Sequence, residues 1–201
     1  MSNPRLLLFL TSALALALLP LAALAQPSVQ ESAFWSQEIS AGDLPPAADR
    51  IPAEPLVVNV AAKGRTPGLQ GGTLNTMVTR SKDIRQMVVY GYARLVGYDQ
   101  NYELYPDILR DVEVEEGRKF TLHLRPGHKW SDGHPFTSAD FEYYWKRVAL
   151  NEELSPAGPP QNLYVDGVLA EMSFPDPHTV IIEWPSANPG FLQLLAQASP
   201  F

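Results

Sequence analysis

The 201-residue chain contains no cysteine, and this absence removes disulfides, zinc–thiolate sites, thiol catalysis and attachment of a lipid through a cysteine. Histidine is scarce. His123, His128, His134 and His178 are the only four, and neither a helix nor a single strand makes the first three converge, so they predict no metal site. The nucleophile elbow G-x-S-x-G, a phosphate-binding glycine loop, H-E-x-x-H and a calcium loop are all missing, which leaves no catalytic residue to name. No repeat at solenoid periods is visible. Basic residues are in deficit, 15 against 22 acidic ones for a formal charge of -7, and an acidic surface argues against nucleic acid or an anionic membrane as partner. What is present, 45% hydrophobic and 18% charged residues, is the balance of a folded globular chain rather than a disordered one.

Residues 1–25 read as a secretory signal. Arg5 gives a thin positive start, Leu6 to Leu19 is strongly apolar, and Ala23-Leu24-Ala25 forms an A-x-A cleavage site before Gln26. The apolar run, closed by Pro20, is too short for a comfortable membrane span. Residues 26–70 form a proline-rich extension with Pro45, Pro46, Pro52, Pro55 and Pro67, in which Phe34, Trp35, Leu44 and Ile51 are widely spaced anchors. Such a segment is expected to wrap along a domain surface in extended form, with a short strand over Leu56, Val57, Val58 and Val60.

The most patterned stretch is Phe120 to Val148. Phe120, Leu122 and Leu124 alternate with Thr121, His123 and Arg125, the period-two mark of a strand with one buried face. Pro126 and Gly127 end it, and Ser131, Asp132, Gly133, His134 and Pro135 supply a second turn. Thr137 then stands as N-cap with Asp140 three residues on, and Phe136 and Phe141 hold the two positions of a hydrophobic staple. Phe141, Tyr144, Trp145 and Val148 mark the inner face of the helix, and Glu142 and Lys146 pair on the outer one. Trp130 is expected in the packed corner between strand and helix.

Two hairpins flank this unit. Val112 and Val114 alternate with Asp111, Glu113 and Glu115, Gly117 turns the chain, and the acids are expected to face Thr121, His123 and Arg125 as a solvated row. Downstream, Val168 to Phe174, the Pro175–His178 turn and Thr179 to Trp184 predict a second hairpin with Val180, Ile182 and Trp184 on one face. A short helix is expected at Phe191, Leu192, Leu194 and Leu195. Upstream, Ser81 is placed as the cap of a helix through Leu95, with Ile84, Met87 and Val88 on its face and Gly91 within it.

W-S-D-G-x-P-F-T-x-x-D-F behind an F-T-L-x-L-R-P-G strand resembles the peptide-type, family 5 solute-binding proteins of ABC importers. The resemblance rests on Phe120, Leu122, Leu124, Arg125, Gly127, Trp130, Ser131, Asp132, Gly133, Pro135, Thr137, Ala139, Asp140 and Phe141. It spans roughly Gly71 to Ala196. It implies an α/β fold of the periplasmic-binding-protein type II kind, mixed sheets with flanking helices, of which residues 71–201 form an incomplete, N-terminal portion: part of the first lobe and the small second domain. Gly71, Gly72, Thr73 and Leu74 match the family's entry to its first strand, expected to run through Met77 and Val78. The 26–70 extension precedes that entry by more than is common in the family.

The same resemblance places the loop after that strand, Thr79, Arg80 and Ser81, at the ligand cleft, and brings the Asn151 to Asn162 loop near it through Ala157 and Gly158. Trp130, Asp132, Gly133, Pro135, Thr137 and Asp140 are structural members of the family signature. No cofactor and no metal are implied. The implied protein is a periplasmic receptor, free of a lipid anchor and monomeric when complete, that delivers a peptide or peptide-like solute to ABC permease subunits. A nickel complex, haem, an oligosaccharide or an opine are alternative solutes within the family. A secreted hydrolase is the rival from another class, and it lacks an assembled nucleophile and base. Mass spectrometry of the exported protein is expected to find the mature N-terminus at Gln26, whereas cytosolic protein retaining Met1 would overturn the reading of residues 1–25.

Overall fold

A computed structural model describes residues 29–69, 71–86 and 93–197. The leader, its cleavage site, and Met87, Val88 and Gly91 of the expected helix lie outside the described residues. The centre is a four-stranded antiparallel sheet in the order β3-β4-β8-β7, with β3 Leu109–Glu115, β4 Lys119–Leu124, β7 Glu171–Asp176 and β8 Thr179–Glu183. Every strand pair among the described residues is antiparallel. The β4–β8 register sets Phe120 opposite Ile182 and Leu122 opposite Val180. All four are buried, which is what period-two alternation on both strands requires of a sheet with one covered face.

Over that face pack Leu109, Leu124, Trp184, Phe191 and Leu195, with Trp145 and Ala149 in the same core cluster. Phe120, Trp184 and Phe191 meet as an aromatic trio with ring centroids 4.9 to 6.0 Å apart, in the edge-on and tilted geometries that aromatic quadrupoles favour. The buried indole of Trp184 also donates Nε1–H to the Leu163 carbonyl at 2.9 Å, so its one polar group is satisfied. Phe191 opens the short helix expected there, observed over Phe191–Leu195.

The opposite face is solvated at its β3 edge, where Asp111, Glu113 and Glu115 are exposed, while Thr121 and Thr179 on the inner strands are buried. Asp111, Glu113 and Glu115 stand opposite His123, Thr121 and Lys119. The row therefore includes Lys119 and not, as expected, Arg125, because the tight turn pairs Glu115 with Lys119, and the irregularity between Leu109 and Asp111 then leaves Arg125 beyond the ladder. Arg125 instead bonds back to the chain before β3, N–H to Ile108 O at 3.0 Å and Nε–H to Asp107 O at 2.8 Å.

Two small hairpins complete the fold: β1 Val96–Tyr98 with β2 Leu104–Pro106, and β5 Tyr164–Val165 with β6 Val168–Leu169. The second turns on Asp166 at φ 51° and Gly167 at φ 79°, the two positive-φ residues that a two-residue hairpin of this hand needs. The stretch Gly71 to Val78, expected as a strand, pairs with nothing and is irregular, and Leu74 and Met77 are exposed. A strand exists only through a partner ladder, and no described segment offers one. Leu56 to Val60 likewise forms no strand. Ser81 is the first residue of a 3₁₀ helix over Ser81–Gln86, not the cap of a longer helix through Leu95, because Ala93 and Arg94 are irregular and Leu95 is a bend.

The extension is less extended than its prolines predict. It carries a 3₁₀ turn at Ala33–Trp35, helix α1 Ser36–Ala41 and helix α2 Ala47–Arg50. Glu31 ties the chain before α1 to the start and end of α2, accepting from Ala47 N–H and from Arg50 Nη2, each at 2.6 Å. The Ala47 N–H, followed by Arg50, holds the Glu31 carboxyl below the usual carboxylate range. The extension is then fastened to the turn after β4: Lys129 Nζ donates to Asp49 O at 3.1 Å. At Gly127, φ 89°, a Cβ would come within 2.4 Å of Ala53 N, so only glycine admits this approach. Gly127→Ala is expected to cost on the order of 1 to 3 kcal/mol and to raise the cleavage rate of residues 29–69 in limited proteolysis; unchanged cleavage would show that the Gly127 contact does not fasten the extension.

Candidate functional site

The signature residues assemble directly after β4. Phe136 N–H donates to His128 O and Trp130 N–H to His134 O, each at 2.8 Å, so His128 to Phe136 folds back on itself as a narrow loop. At its tip Asp132 Oδ1 accepts from His134 N–H at 2.9 Å, and Gly133, at φ 89°, donates its N–H to Trp130 O. Both residues thus have the turn chemistry their types predict. Pro135 forms an isolated antiparallel bridge with Lys129.

The loop delivers the chain to helix α3, Ser138–Tyr143. Thr137 caps it, accepting from Ala139 N–H at 3.3 Å, and Asp140 Oδ2 accepts from Thr137 N–H at 2.8 Å, which closes the expected capping box. Phe136 and Phe141 form the staple with centroids 5.5 Å apart. Ser138 ties the helix start to the β7–β8 turn through Oγ–H to Asp176 O at 2.6 Å and N–H to Pro177 O at 2.9 Å. Beyond Tyr143 the helix widens into a π turn, Tyr144–Ala149, with Leu150 N–H reaching back to Trp145 O.

Trp130 corrects the expectation made for it. It is 50% exposed and lies outside the core, its ring edge-on to Phe136 at 5.3 Å and its Nε1–H donating to Asp140 Oδ1 at 3.1 Å. The indole lies at the loop's outer side because its N–H is satisfied by the capping carboxylate, whose two oxygens therefore hold the loop and the cap at once. Trp130, Thr137 and Asp140 form a clip between loop and helix.

Of the residues expected at a cleft, Thr79, Arg80 and Ser81 lie at the end of the irregular Gly71 to Val78 stretch. They are organised by Asp83, which the sequence reading did not single out. Its Oδ2 accepts from Thr79 Oγ1–H at 2.8 Å and Arg80 N–H at 3.0 Å, and its spacing three residues after Arg80 is the signal that was available. The Arg80 guanidinium is largely exposed and 3.9 Å from the same oxygen. Ala157 and Gly158 sit in an exposed turn, Gly158 N–H donating to Ser155 O at 2.8 Å. Among the described residues no hydrogen bond joins Thr79–Ser81 to Ala157–Gly158. Each group offers exposed backbone and short side chains, which can contact a solute but assemble no acid–base or nucleophilic pair.

The histidines are dispersed. His123 Nε2 is 3.2 Å from Glu113 and His134 Nδ1 is 3.0 Å from Pro135 O. His128, whose Nε2 is buried without a partner, has its pKa pushed down by burial and then by Arg125. Among the described residues no group of three or more His, Asp or Glu is placed to hold a metal ion.

Comparison with known proteins places this architecture. The family model for bacterial extracellular solute-binding proteins, family 5 middle region, matches residues 103–201. The chain is similar to the periplasmic alpha-galactoside-binding protein of Rhizobium meliloti, 27% identical over 150 residues, covering 61% of this chain and 21% of that protein. It is 41% identical over 51 residues to the periplasmic oligopeptide-binding protein OppA of Salmonella typhimurium, covering 25% of this chain and 9% of the relative. Among solved structures, an oligopeptide-binding protein OppA superposes with TM-score 0.67 at 29% identity, over 84% of this chain and 26% of its own. The stachyose complex of MelB from Agrobacterium fabrum C58 superposes with TM-score 0.64 at 25% identity, over 87% and 29%. The chain thus spans less than a third of each of these relatives.

Removing the clip and removing the cap are expected to be similar in size. Trp130→Ala and Thr137→Ala should each cost on the order of 1 kcal/mol in urea denaturation. A loss of about 3 to 5 kcal/mol for Trp130→Ala would instead mark a core position.

Proposed function

With residues 103–201 identified as a segment of the family 5 bacterial extracellular solute-binding proteins, we propose that the chain is part of an exported receptor. It captures a peptide or peptide-like solute outside the cytoplasmic membrane and hands it to the permease of an ABC importer. Family 5 is a family of binding proteins, so no catalytic step enters the reading. The observation that carries it is the agreement of the family match over residues 103–201 with the superposition on OppA over 84% of the chain. A periplasmic location is supported by the leader-like residues 1–25 and by the periplasmic relatives. Among the described residues no helix is long and apolar enough to cross a membrane. Thr79, Arg80, Ser81, Ala157 and Gly158 are proposed to line one side of the solute cleft, the other side being supplied by residues beyond this chain.

A second reading, an alpha-galactoside as solute, is favoured by one observation. The likeness to the Rhizobium protein runs over 150 residues, against 51 for the Salmonella oligopeptide-binding relative. Both readings need polar groups converging from two lobes around an oligomeric solute. Isothermal titration of the protein from the complete reading frame decides between them. Saturable binding of a tripeptide and tetrapeptide mixture supports the first reading, binding of stachyose but not of peptides selects the second, and turnover of esters, glycosides or peptides would overturn both.

A further inference from the structure

A cavity of about 310 Å³ lies between the extension and the β1–β2 hairpin, lined by Val58, Val60, Lys63 and Arg65 on one side and Tyr98, Asp99, Gln100 and Tyr105 on the other. None of the residues assigned above to the solute cleft lines it. We propose that this cavity is a second binding site, for a small organic monoanion: a carboxylate carried on a single planar ring.

The two cations stand on a turn that is fixed from within. Asn59 Oδ1 accepts from Ala62 N–H at 3.0 Å, and Val60 O accepts from Lys63 N–H at 3.2 Å and Arg65 N–H at 3.0 Å. Between them Gly64 adopts φ 68°, so Lys63 and Arg65 leave the turn on either side of a residue with no side chain. Neither forms a salt bridge among the described residues. In a chain of formal charge -7, two unbridged cations on one rigid turn make a local positive field that attracts anions.

The one acid of the cavity has one oxygen held by its own loop. Asp99 Oδ1 accepts from Asn101 N–H at 2.8 Å and Glu103 N–H at 2.9 Å. The Glu103 N–H, then the Asn101 N–H, and after them the nearby charge of Lys63, hold its carboxyl below the usual range. It stays ionised and directs its oxygen into its own loop, leaving the lining with one net positive charge, which matches a monoanion better than a dianion.

The tyrosines supply the surface for a ring. Tyr105 lies across Gly97, where a Cβ would come within 3.1 Å of its ring and hydroxyl, so the absence of a side chain there sets the ring's attitude. Lys63 Nζ sits 5.6 Å from the centre of the same ring, at cation–π distance, and Tyr98, 45% exposed, also lines the cavity. The volume is at the lower limit of small-molecule sites, roughly 300 to 1,000 Å³, which favours a single ring over an oligomer and separates this site from the solute cleft.

Fluorine NMR titration of 4-fluorobenzoate into the protein from the complete reading frame tests the assignment. Saturable binding is expected, weakened about tenfold or more in Lys63→Gln/Arg65→Gln, which removes both charge-assisted partners and, being an exposed pair, leaves the melting temperature unchanged. Gly97→Ala, which displaces the Tyr105 ring, should also weaken it, while inorganic phosphate should compete poorly. Absence of saturable binding, equal affinity in the double glutamine variant, or phosphate binding as tightly as 4-fluorobenzoate would each overturn the proposal, whatever the solute of the cleft.

Discussion

The β4–β8 pairing is the constraint on which the rest of the structure depends. It lays Phe120 and Leu122 against Ile182 and Val180, and every other buried element is arranged to cover those four side chains. Trp184 and Phe191 close one end beside Phe120. Ser138 fixes helix α3 to the turn that joins β7 and β8. Since a slip of one residue on either strand would turn the apolar set out to solvent, the register is enforced by burial and needs no further device.

Around that sheet the chain uses short polar contacts at its corners. Asp140 holds both the helix cap and the Trp130 indole, and Glu31 likewise holds both ends of α2. In both places one carboxylate closes a piece of chain too short to bury a core of its own. This division between an apolar centre and carboxylate-clipped corners fits a segment of family likeness that carries a long N-terminal extension: the extension touches the turn after β4 and the β1–β2 hairpin.

Strands β4 and β8, the capping box and the Phe136–Phe141 staple were legible because each is a local pattern whose spacing carries its geometry. The sequence also held the β5–β6 hairpin, in Asp166-Gly167 between short apolar pairs, a signal passed over because the strands are only two residues long. Other features were not legible. Gly71 to Val78 was expected as a strand from resemblance alone, but strand formation is decided by a partner and not by the segment. Trp130 was expected in the packed corner between strand and helix, whereas its donor group and its place in a turn fit the exposed clip it forms. Of the candidate cleft residues, the sequence offered only resemblance; the geometry adds Asp83 as the group that orders Thr79 and Arg80. The seat of the extension on Gly127 is a tertiary contact that leaves no periodic trace.

The order of the sheet also sets a timetable. Its two outer pairings, β3 with β4 and β7 with β8, are between neighbours along the chain, while the central one joins β4 to a strand that follows a helix, a long loop and three further strands. Hairpins close in microseconds, but a distant pairing must wait for its loop to be gathered in. A chain emerging N-terminus first therefore completes the β3–β4 hairpin while the inner edge of β4, with Phe120 and Leu122, has nothing beside it. During synthesis this edge is open to wrong partners, and the interval ends only when β8 arrives.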